Sequence, residues 1–141
     1  MTSRATTGPR FGSSAAAPAA AESDALARAQ ALYNDATSAL AAKKYDEAAD
    51  SFKKAYDAKP IVDLLYNIGA TYHLKAREAA DVAAYELAAQ YYRKYLEAAP
   101  TSPDKADIDQ RLAVIDAEIV RLKAPPPAEG TPPPPPPPHA A

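Results

Sequence analysis

The sequence repeats itself, and this repeat limits the fold more than any other feature. Residues of one stretch recur 33 positions later, and residues further along recur 40 positions later. The matching pairs are Tyr33 with Tyr66, Asn34 with Asn67, Ala36 with Gly69, Tyr45 with Tyr85, Ala48 with Ala88, Phe52 with Tyr92, and Pro60 with Pro100. Two constant offsets indicate one duplicated unit, with seven residues inserted in the second copy between Ile68 and Tyr85.

Each copy has the pattern of a helical hairpin, because apolar residues recur at helical spacing between turn signals. Ala is abundant, whereas Gly occurs only four times, a composition that favours closely packed helices over a sheet. We predict five helices. The predicted boundaries are Ser23 and Asp24 capping the first helix, Pro60 ending the second, Ile61 starting the third, Asp81 capping the fourth, Pro100 ending it, and Ser102-Pro103-Asp104 starting the fifth. Seven residues make about two helical turns, so the insertion is expected to lengthen both helices of the second hairpin.

The fifth predicted helix carries one apolar stripe, formed by Ile108, Leu112, Ile115, Ile119 and Leu122. The stripe has three interpretations. It packs on the second hairpin as a cap, it pairs with a second copy of itself in a weak self-association, or it docks onto a further repeat of a larger protein.

The two ends of the chain differ from this body, which spans residues 22–123. Residues 1–21 are rich in Ala, Ser and Thr and lack acidic side chains, which predicts a disordered leader or an organelle transit peptide. No complete secretory signal is present, which favours the cytoplasm, with the bacterial periplasm as a further alternative. Residues 124–141 include seven consecutive prolines, Pro132–Pro138, and predict an extended polyproline tail that acts as a spacer or as a ligand.

Several functional classes are disfavoured by composition. The chain has no Cys, two His and a net charge of −2. These numbers argue against a thiol nucleophile, a metal centre and nucleic-acid binding. No stretch is long and apolar enough for a membrane span, and no Gly-rich phosphate loop or nucleophile pattern is present. We therefore expect no enzyme activity, no cofactor and no metal.

The repeated residues resemble the tetratricopeptide family, whose pattern is a large residue, a small residue four positions on, Tyr-x-x-Ala, an aromatic residue and a closing Pro. The first copy matches with Leu32, Ala36, Tyr45, Ala48, Phe52 and Pro60, and the second with Leu65, Gly69, Tyr85, Ala88, Tyr92 and Pro100. The resemblance implies an all-α fold of antiparallel hairpins stacked as a short α-solenoid. Its repeats are about 29–61 and 62–101, followed by a capping helix over 103–123.

Two positions depart from the family pattern. Lys43 stands where the family usually has Gly in the turn, at little expected cost. Tyr95 stands where Ala is usual, so we expect the second hairpin to splay or to meet another chain there. The inserted residues are also atypical, and the longer hairpin is expected to protrude from the stack.

The resemblance also implies a function, since the concave face of such repeats commonly holds a segment of a partner protein. The implied groove residues are Gln30, Tyr33, Thr37, Leu40, Asp63, Tyr66, Asn67, Ala70 and His73. The expectation is a non-catalytic protein-protein interaction module with a Tyr-lined groove. The alternative is a structural subunit or fragment of a larger assembly, such as one in a bacterial envelope, that uses its convex face, last helix and proline-rich spacer.

Overall fold

The protein is all-α in the part of the chain that its computed structural model describes. That part comprises residues 10–126, 130, 134, 136 and 138, with side chains from Pro18 onward. The five helices are α1 Arg10–Ala41, α2 Tyr45–Ala58, α3 Val62–Ala79, α4 Val82–Ala98 and α5 Lys105–Lys123. None of these helices is long and apolar enough to cross a membrane.

The helices pack mainly on their neighbours in the chain, α1 on α2, α2 on α3, α3 on α4 and α4 on α5. The first and second pairs of helices form two hairpins, which we call hairpin 1 (α1 and α2) and hairpin 2 (α3 and α4). One apolar core runs through both hairpins and into α5. Its most deeply buried large side chains are Phe52, Ile68, Tyr92, Ile108 and Ile115.

Small residues let the two helices of each hairpin approach closely. Ala36 and Ala48 are fully buried in hairpin 1, as is Ala88 in hairpin 2. Gly69 lies against Tyr92 so tightly that a Cβ atom at position 69 would approach the Tyr92 ring to 3.1 Å. The alternation of small and aromatic residues in the repeat therefore has a direct packing role.

The insertion lengthens both helices of hairpin 2, as predicted. Helix α3 continues five residues beyond Leu74, the position equivalent to the last residue of α1, and α4 begins three residues before Tyr85. The extended end of α3 lies against the first turn of α2, since Lys75 pairs with Asp46 at 2.7 Å and Tyr45 donates to Glu78 at 2.5 Å. The longer hairpin thus contacts hairpin 1 through its added turns.

One predicted helix start was wrong, and the others agree within two residues. Helix α1 begins at Arg10, so that Ser23 and Asp24 lie inside it and cap nothing. The predicted leader 1–21 therefore overlaps α1, and residues 1–9 lie outside the described residues. Helix α5 begins at Lys105, after a turn in which Ser102 Oγ accepts a hydrogen bond from the Asp104 amide at 3.1 Å. At the start of α4 the predicted cap is present, because Asp81 accepts from the Ala84 amide at 3.2 Å.

The apolar stripe of α5 packs on the body of the same chain. Ile108 and Ile115 are fully buried, and Leu112, Ile119 and Leu122 pack partly buried against the core. This is the first of the three interpretations, the cap. Two of the five stripe residues are thus fully buried, and the other three stay partly exposed.

Candidate functional site

A concave feature lined by tyrosine and aliphatic side chains lies between α1 and the first turns of α3. It is a cavity of about 460 Å³, which we call the tyrosine cavity. Its lining residues are Leu26, Ala29, Gln30, Tyr33, Ile61, Asp63, Leu64, Tyr66, Asn67, Tyr95 and Asp104. Helices α1 and α3 supply most of this lining, because their equivalent faces lie side by side.

Exposed apolar side chains are concentrated at this cavity. Among the described residues, six large hydrophobic side chains are exposed, and three of them are Leu26, Tyr33 and Ile61 in the cavity lining, each 38–47% exposed. Single exposed apolar residues are common on protein surfaces, but a cluster in a concavity indicates a binding surface.

The three tyrosines of the cavity are held by aromatic contacts behind it. Tyr33 meets Phe52 edge-to-face, with ring centroids 5.6 Å apart. Tyr66 meets Tyr92 at 5.6 Å and Tyr95 at 5.9 Å, again edge-to-face. Such contacts restrict the rings, so a ligand that packs on them loses little additional side-chain entropy.

Tyr95 is buried within its own chain, contrary to the expectation that hairpin 2 splays or meets another chain there. Its hydroxyl forms a hydrogen bond with Ser102 Oγ at 2.9 Å and donates to Asp104 Oδ2 at 3.4 Å. The larger side chain therefore ties α4 to the turn before α5. It also adds a third aromatic ring to the tyrosine cavity.

The charges that line the cavity are acidic. Asp63 lies in the first turn of α3, and Asp104 immediately precedes α5. Arg111 lies close to one wall, since its guanidinium carbon is 5.9 Å from the centroid of the Tyr66 ring and its Nε donates to Asp107 at 2.7 Å. The lining residues themselves include no Lys or Arg, so the charged groups of the lining are both carboxylates.

The structure brings together five of the nine sequence-predicted groove residues in this cavity. They are Gln30, Tyr33, Asp63, Tyr66 and Asn67. Thr37 and Leu40 lie further along α1, and Ala70 and His73 lie further along α3, all four outside the cavity. The Thr37 hydroxyl donates to the Asn34 carbonyl of its own helix at 2.9 Å.

His73 belongs to a separate shallow pocket, which it lines with Arg77, Tyr85, Val114 and Glu118. Burial lowers the pKa of the His73 imidazole below its usual 6.5, and the positive charges of Arg77 and Arg111 lower it further. The ring packs edge-on against Tyr92, with centroids 6.3 Å apart. These surroundings favour the neutral imidazole.

Sequence reasoning missed six residues of the lining. They are Leu26, Ala29, Ile61, Leu64, Tyr95 and Asp104. Tyr95 had a usable signal, since an aromatic residue stands where the repeat pattern usually has Ala. Leu26 had none, because it precedes the first repeat, which was predicted to begin at about residue 29.

A second groove shares no lining residue with the tyrosine cavity. It lies between α2 and α4 and includes Lys53, Tyr91 and Lys94. Tyr72 and Tyr91 stack with centroids 6.0 Å apart. The Lys53 Nζ lies 4.9 Å from the Tyr72 centroid and donates to the Tyr72 hydroxyl, while the Lys94 Nζ lies 4.8 Å from the Tyr91 centroid. Ammonium groups of this chain therefore already occupy the aromatic faces on that side.

Within the part of the chain that the structure describes, no three of the His, Asp and Glu side chains come together as metal ligands would. In comparisons with protein-family models, with curated proteins and with solved structures, the chain matches none. The geometry of the tyrosine cavity is therefore the basis for a functional proposal.

Proposed function

We propose that this protein is a non-catalytic protein-protein interaction module, which holds a short segment of a partner in the tyrosine cavity. The observation that carries the proposal is the convergence of exposed Leu26, Tyr33 and Ile61 with the rings of Tyr66 and Tyr95 on one cavity. Aromatic residues with a polar tip are enriched at interfaces, and such a cavity would bury apolar partner side chains.

We further propose that the two hairpins are tetratricopeptide repeats, with α5 as the capping helix. Two observations support this assignment. Equivalent small positions are buried in both hairpins, and equivalent aromatic pairs have the same centroid separation of 5.6 Å. The partner segment would then lie on the faces of α1 and α3, where repeats of this kind commonly hold ligands.

The mechanism is shape and aromatic burial with a few polar contacts. The amide side chains of Gln30 and Asn67 offer hydrogen bonds, and the carboxylates of Asp63 and Asp104 favour neutral or basic segments over acidic ones. A cavity of this size buries only a few partner side chains, so we expect modest affinity.

The test is a selection of displayed random peptides on the immobilised protein, followed by calorimetric titration of the enriched peptides. We expect Tyr33→Ala/Tyr66→Ala to weaken binding at least about tenfold, equal to about 1.4 kcal/mol. Tyr33→Ala alone serves as a second variant, because its partly exposed ring supports the fold less than Tyr66 does.

The matched control is Tyr91→Ala, which removes a partly buried tyrosine from the second groove. We expect it to leave the affinity unchanged. Enriched peptides that bind the cavity variants as tightly as the natural chain, while Tyr91→Ala loses them, would overturn the assignment of the site.

A second candidate function is that of a structural subunit in a larger assembly. The observation that favours it is the exposure of Val114 and Val120 on α5, 55% and 69% exposed respectively. Light scattering of Val114→Lys/Val120→Lys beside the natural chain tests this candidate. A stable oligomer that the double variant dissociates would favour the subunit over the peptide-binding module.

A further inference from the structure

We propose that the tyrosine cavity recognises a positively charged side chain, an arginine or a lysine, that stands between apolar residues of the partner segment. The inference rests on the proposed function, because it states which chemistry the same cavity selects. The partner's cation pairs with the carboxylates of the lining and stacks on the Tyr33 ring. Its apolar neighbours pack on the exposed side chains of Leu26 and Ile61.

The two carboxylates of the lining have no cation of this chain beside them. Asp63 and Asp104 are both exposed, and among the described residues no Lys or Arg nitrogen lies within 4.0 Å of either carboxylate. Several other aspartates differ, since Asp46, Asp107 and Asp116 each meet a lysine or an arginine at 2.7–3.4 Å. The cavity therefore presents two negative charges that a partner can complement.

Tyrosine rings on the other side of the molecule already carry a cation. The Lys53 Nζ lies 4.9 Å from the Tyr72 centroid, and the Lys94 Nζ lies 4.8 Å from the Tyr91 centroid. Over the partly exposed ring of Tyr33, the described residues place no ammonium or guanidinium group. A cation of the partner can therefore stack on Tyr33 without displacing a cation of this chain.

The contacts of Arg111 are an example, within this chain, of the proposed recognition. The Arg111 guanidinium lies 5.9 Å from the centroid of the Tyr66 ring, and its Nε donates to Asp107 at 2.7 Å. One positive charge thus meets a tyrosine ring and an aspartate carboxylate at the same time. The cavity lining contains the same two kinds of group, which are left for the partner's side chain to contact.

The second groove shows why the selectivity belongs to the tyrosine cavity. The lining of that groove combines Lys53 and Lys94 with Asp57 and Glu97, so its positive and negative charges balance. Both charged side chains in the lining of the tyrosine cavity are acidic. A cationic partner side chain is therefore attracted to the cavity, whereas the second groove offers it no net attraction.

The experiment titrates the full-length ¹⁵N-labelled chain with capped pentapeptides that differ at one position. The probes are acetyl-Ala-Leu-Arg-Leu-Ala-amide and the same peptide with citrulline, a neutral isostere of arginine, or with Lys at the central position. We expect the arginine peptide to shift the amide resonances of Tyr33, Asp63 and Asn67, and to bind about five- to tenfold more tightly than the citrulline peptide. The lysine peptide should also bind more tightly than the citrulline peptide. Raising the salt concentration from about 20 mM to about 500 mM should reduce both differences, because salt screens exposed charges.

A pair of variants assigns the preference to the two carboxylates. Asp63→Asn/Asp104→Asn removes both charges and keeps the size of the side chains, so the arginine and citrulline peptides should bind it within about twofold of each other. The matched control is Asp57→Asn/Glu97→Gln, which removes the same number of charges from the second groove. The control should keep the full preference for arginine. The amide spectra of both variants show directly that they are folded.

The proposal is overturned if no peptide shifts the cavity amides, if the citrulline peptide binds as tightly as the arginine peptide, or if the cavity variant keeps the preference. Shifts at the second groove instead of the cavity would also overturn it. Displayed peptides that bind the cavity without carrying Lys or Arg would leave the proposed function intact. The two failures are therefore distinguishable.

Two further outcomes would assign the cavity to another occupant and would overturn the proposal. Arg4 belongs to residues 1–9, which lie outside the described residues. If Arg4→Gln makes the arginine peptide bind at least about fivefold more tightly, those residues fill the cavity and compete with the peptide. If the cavity amides of the peptide-free chain shift with protein concentration, a second copy fills it.

Discussion

Hairpin 1 and hairpin 2 hold equivalent aromatic pairs in nearly the same geometry. Tyr33 meets Phe52 with centroids 5.6 Å apart at an interplanar angle of 67°, and Tyr66 meets Tyr92 at 5.6 Å and 61°. The sequence offset is 33 for the first members of these pairs and 40 for the second. The edge-to-face contact of the two rings thus survives an insertion of seven residues between the two helices.

The two hairpins differ in what surrounds the conserved contact. Hairpin 1 combines Ala36 with Phe52, whereas hairpin 2 combines Gly69 with Tyr92. The Tyr92 hydroxyl is buried and has no hydrogen-bond partner among the described residues. Burial raises its pKa to about 12, although the guanidinium of Arg111, which lies near the hydroxyl without meeting hydrogen-bond geometry, opposes the rise. In hairpin 2, therefore, the larger aromatic side chain stands opposite the smaller residue.

The strongest test of this equivalence removes the aromatic ring from each hairpin. Phe52→Ala and Tyr92→Ala should each lower the free energy of unfolding by about 3–5 kcal/mol, because both rings are almost fully buried. Urea denaturation measures both. If the alanine variants do not fold, Phe52→Leu and Tyr92→Leu allow the same comparison with a smaller loss of stability. A large loss of stability in only one hairpin would show that the two aromatic positions are not equivalent.

Gly69→Ala places the small residue of hairpin 1 in hairpin 2. The added Cβ would lie 3.1–3.3 Å from three Tyr92 ring atoms. We expect the free energy of unfolding to fall by about 1 kcal/mol. Overpacking costs about 1–3 kcal/mol, and the higher helix propensity of Ala relative to Gly offsets about 1 kcal/mol of that cost. The reciprocal variant Ala36→Gly should also destabilise, whereas a stabilised Gly69→Ala would show that Tyr92 moves freely.

Tyr92→Phe gives hairpin 2 the ring of hairpin 1. Because the variant removes a buried hydroxyl without a partner, we expect the free energy of unfolding to rise by about 1 kcal/mol. Thermal and urea denaturation measure the change. Tyr33→Phe, which removes a hydroxyl from a partly exposed ring, should have almost no effect, and a clear loss of stability in Tyr92→Phe would indicate that its hydroxyl is satisfied.

The turns of the two hairpins share a left-handed residue. Lys43 has φ of 58° and Ala80 has φ of 50°. Lys43→Gly and Ala80→Gly should each stabilise the fold by about 0.5 kcal/mol, because relief of about 1–2 kcal/mol exceeds the entropy cost of Gly. Lys44→Gly, at φ −88°, should destabilise it instead. Unequal effects at 43 and 80 would show that the turns differ in strain.

His73→Leu introduces the residue that hairpin 1 has at the equivalent position, Leu40. The folded chain binds the His73 proton less readily than the unfolded chain, since burial and then Arg77 and Arg111 lower its pKa. The corresponding stability is therefore complete above the unfolded pKa of 6.5 and is lost as the pH falls below it. Urea denaturation at about pH 7.5 and 5.5 should show a smaller pH-dependent loss in the variant. An unchanged loss would assign the dependence to a group other than His73.

Much of the fold was predictable from the sequence, because its determinants are local. Pro60 and Pro100 ended helices α2 and α4, Asp81 capped α4, and the spacing of the α5 stripe fixed its buried face. The start of α1 was missed. Ser23 and Asp24 have the residue types of a cap, yet nothing in their own chemistry stops the Ala-rich stretch before them from continuing the helix.

The candidate site was predictable only in part. The repeat indicated which faces of α1 and α3 lie side by side, and Gln30, Tyr33 and Tyr66 accordingly line one cavity. Its other walls come from residues far apart in the chain. Tyr95 is held at the cavity by the hydrogen bond between its hydroxyl and Ser102 in the turn before α5. The spacing of residues along the sequence does not predict this tertiary contact.

The neighbour-to-neighbour packing of the helices has a consequence for biosynthesis. Each helix packs mainly on the one made just before it, so a nascent chain leaving the ribosome finds the surface it needs already exposed and formed. Hairpin 1 can close before hairpin 2 emerges. The last helix then covers the apolar flank of hairpin 2.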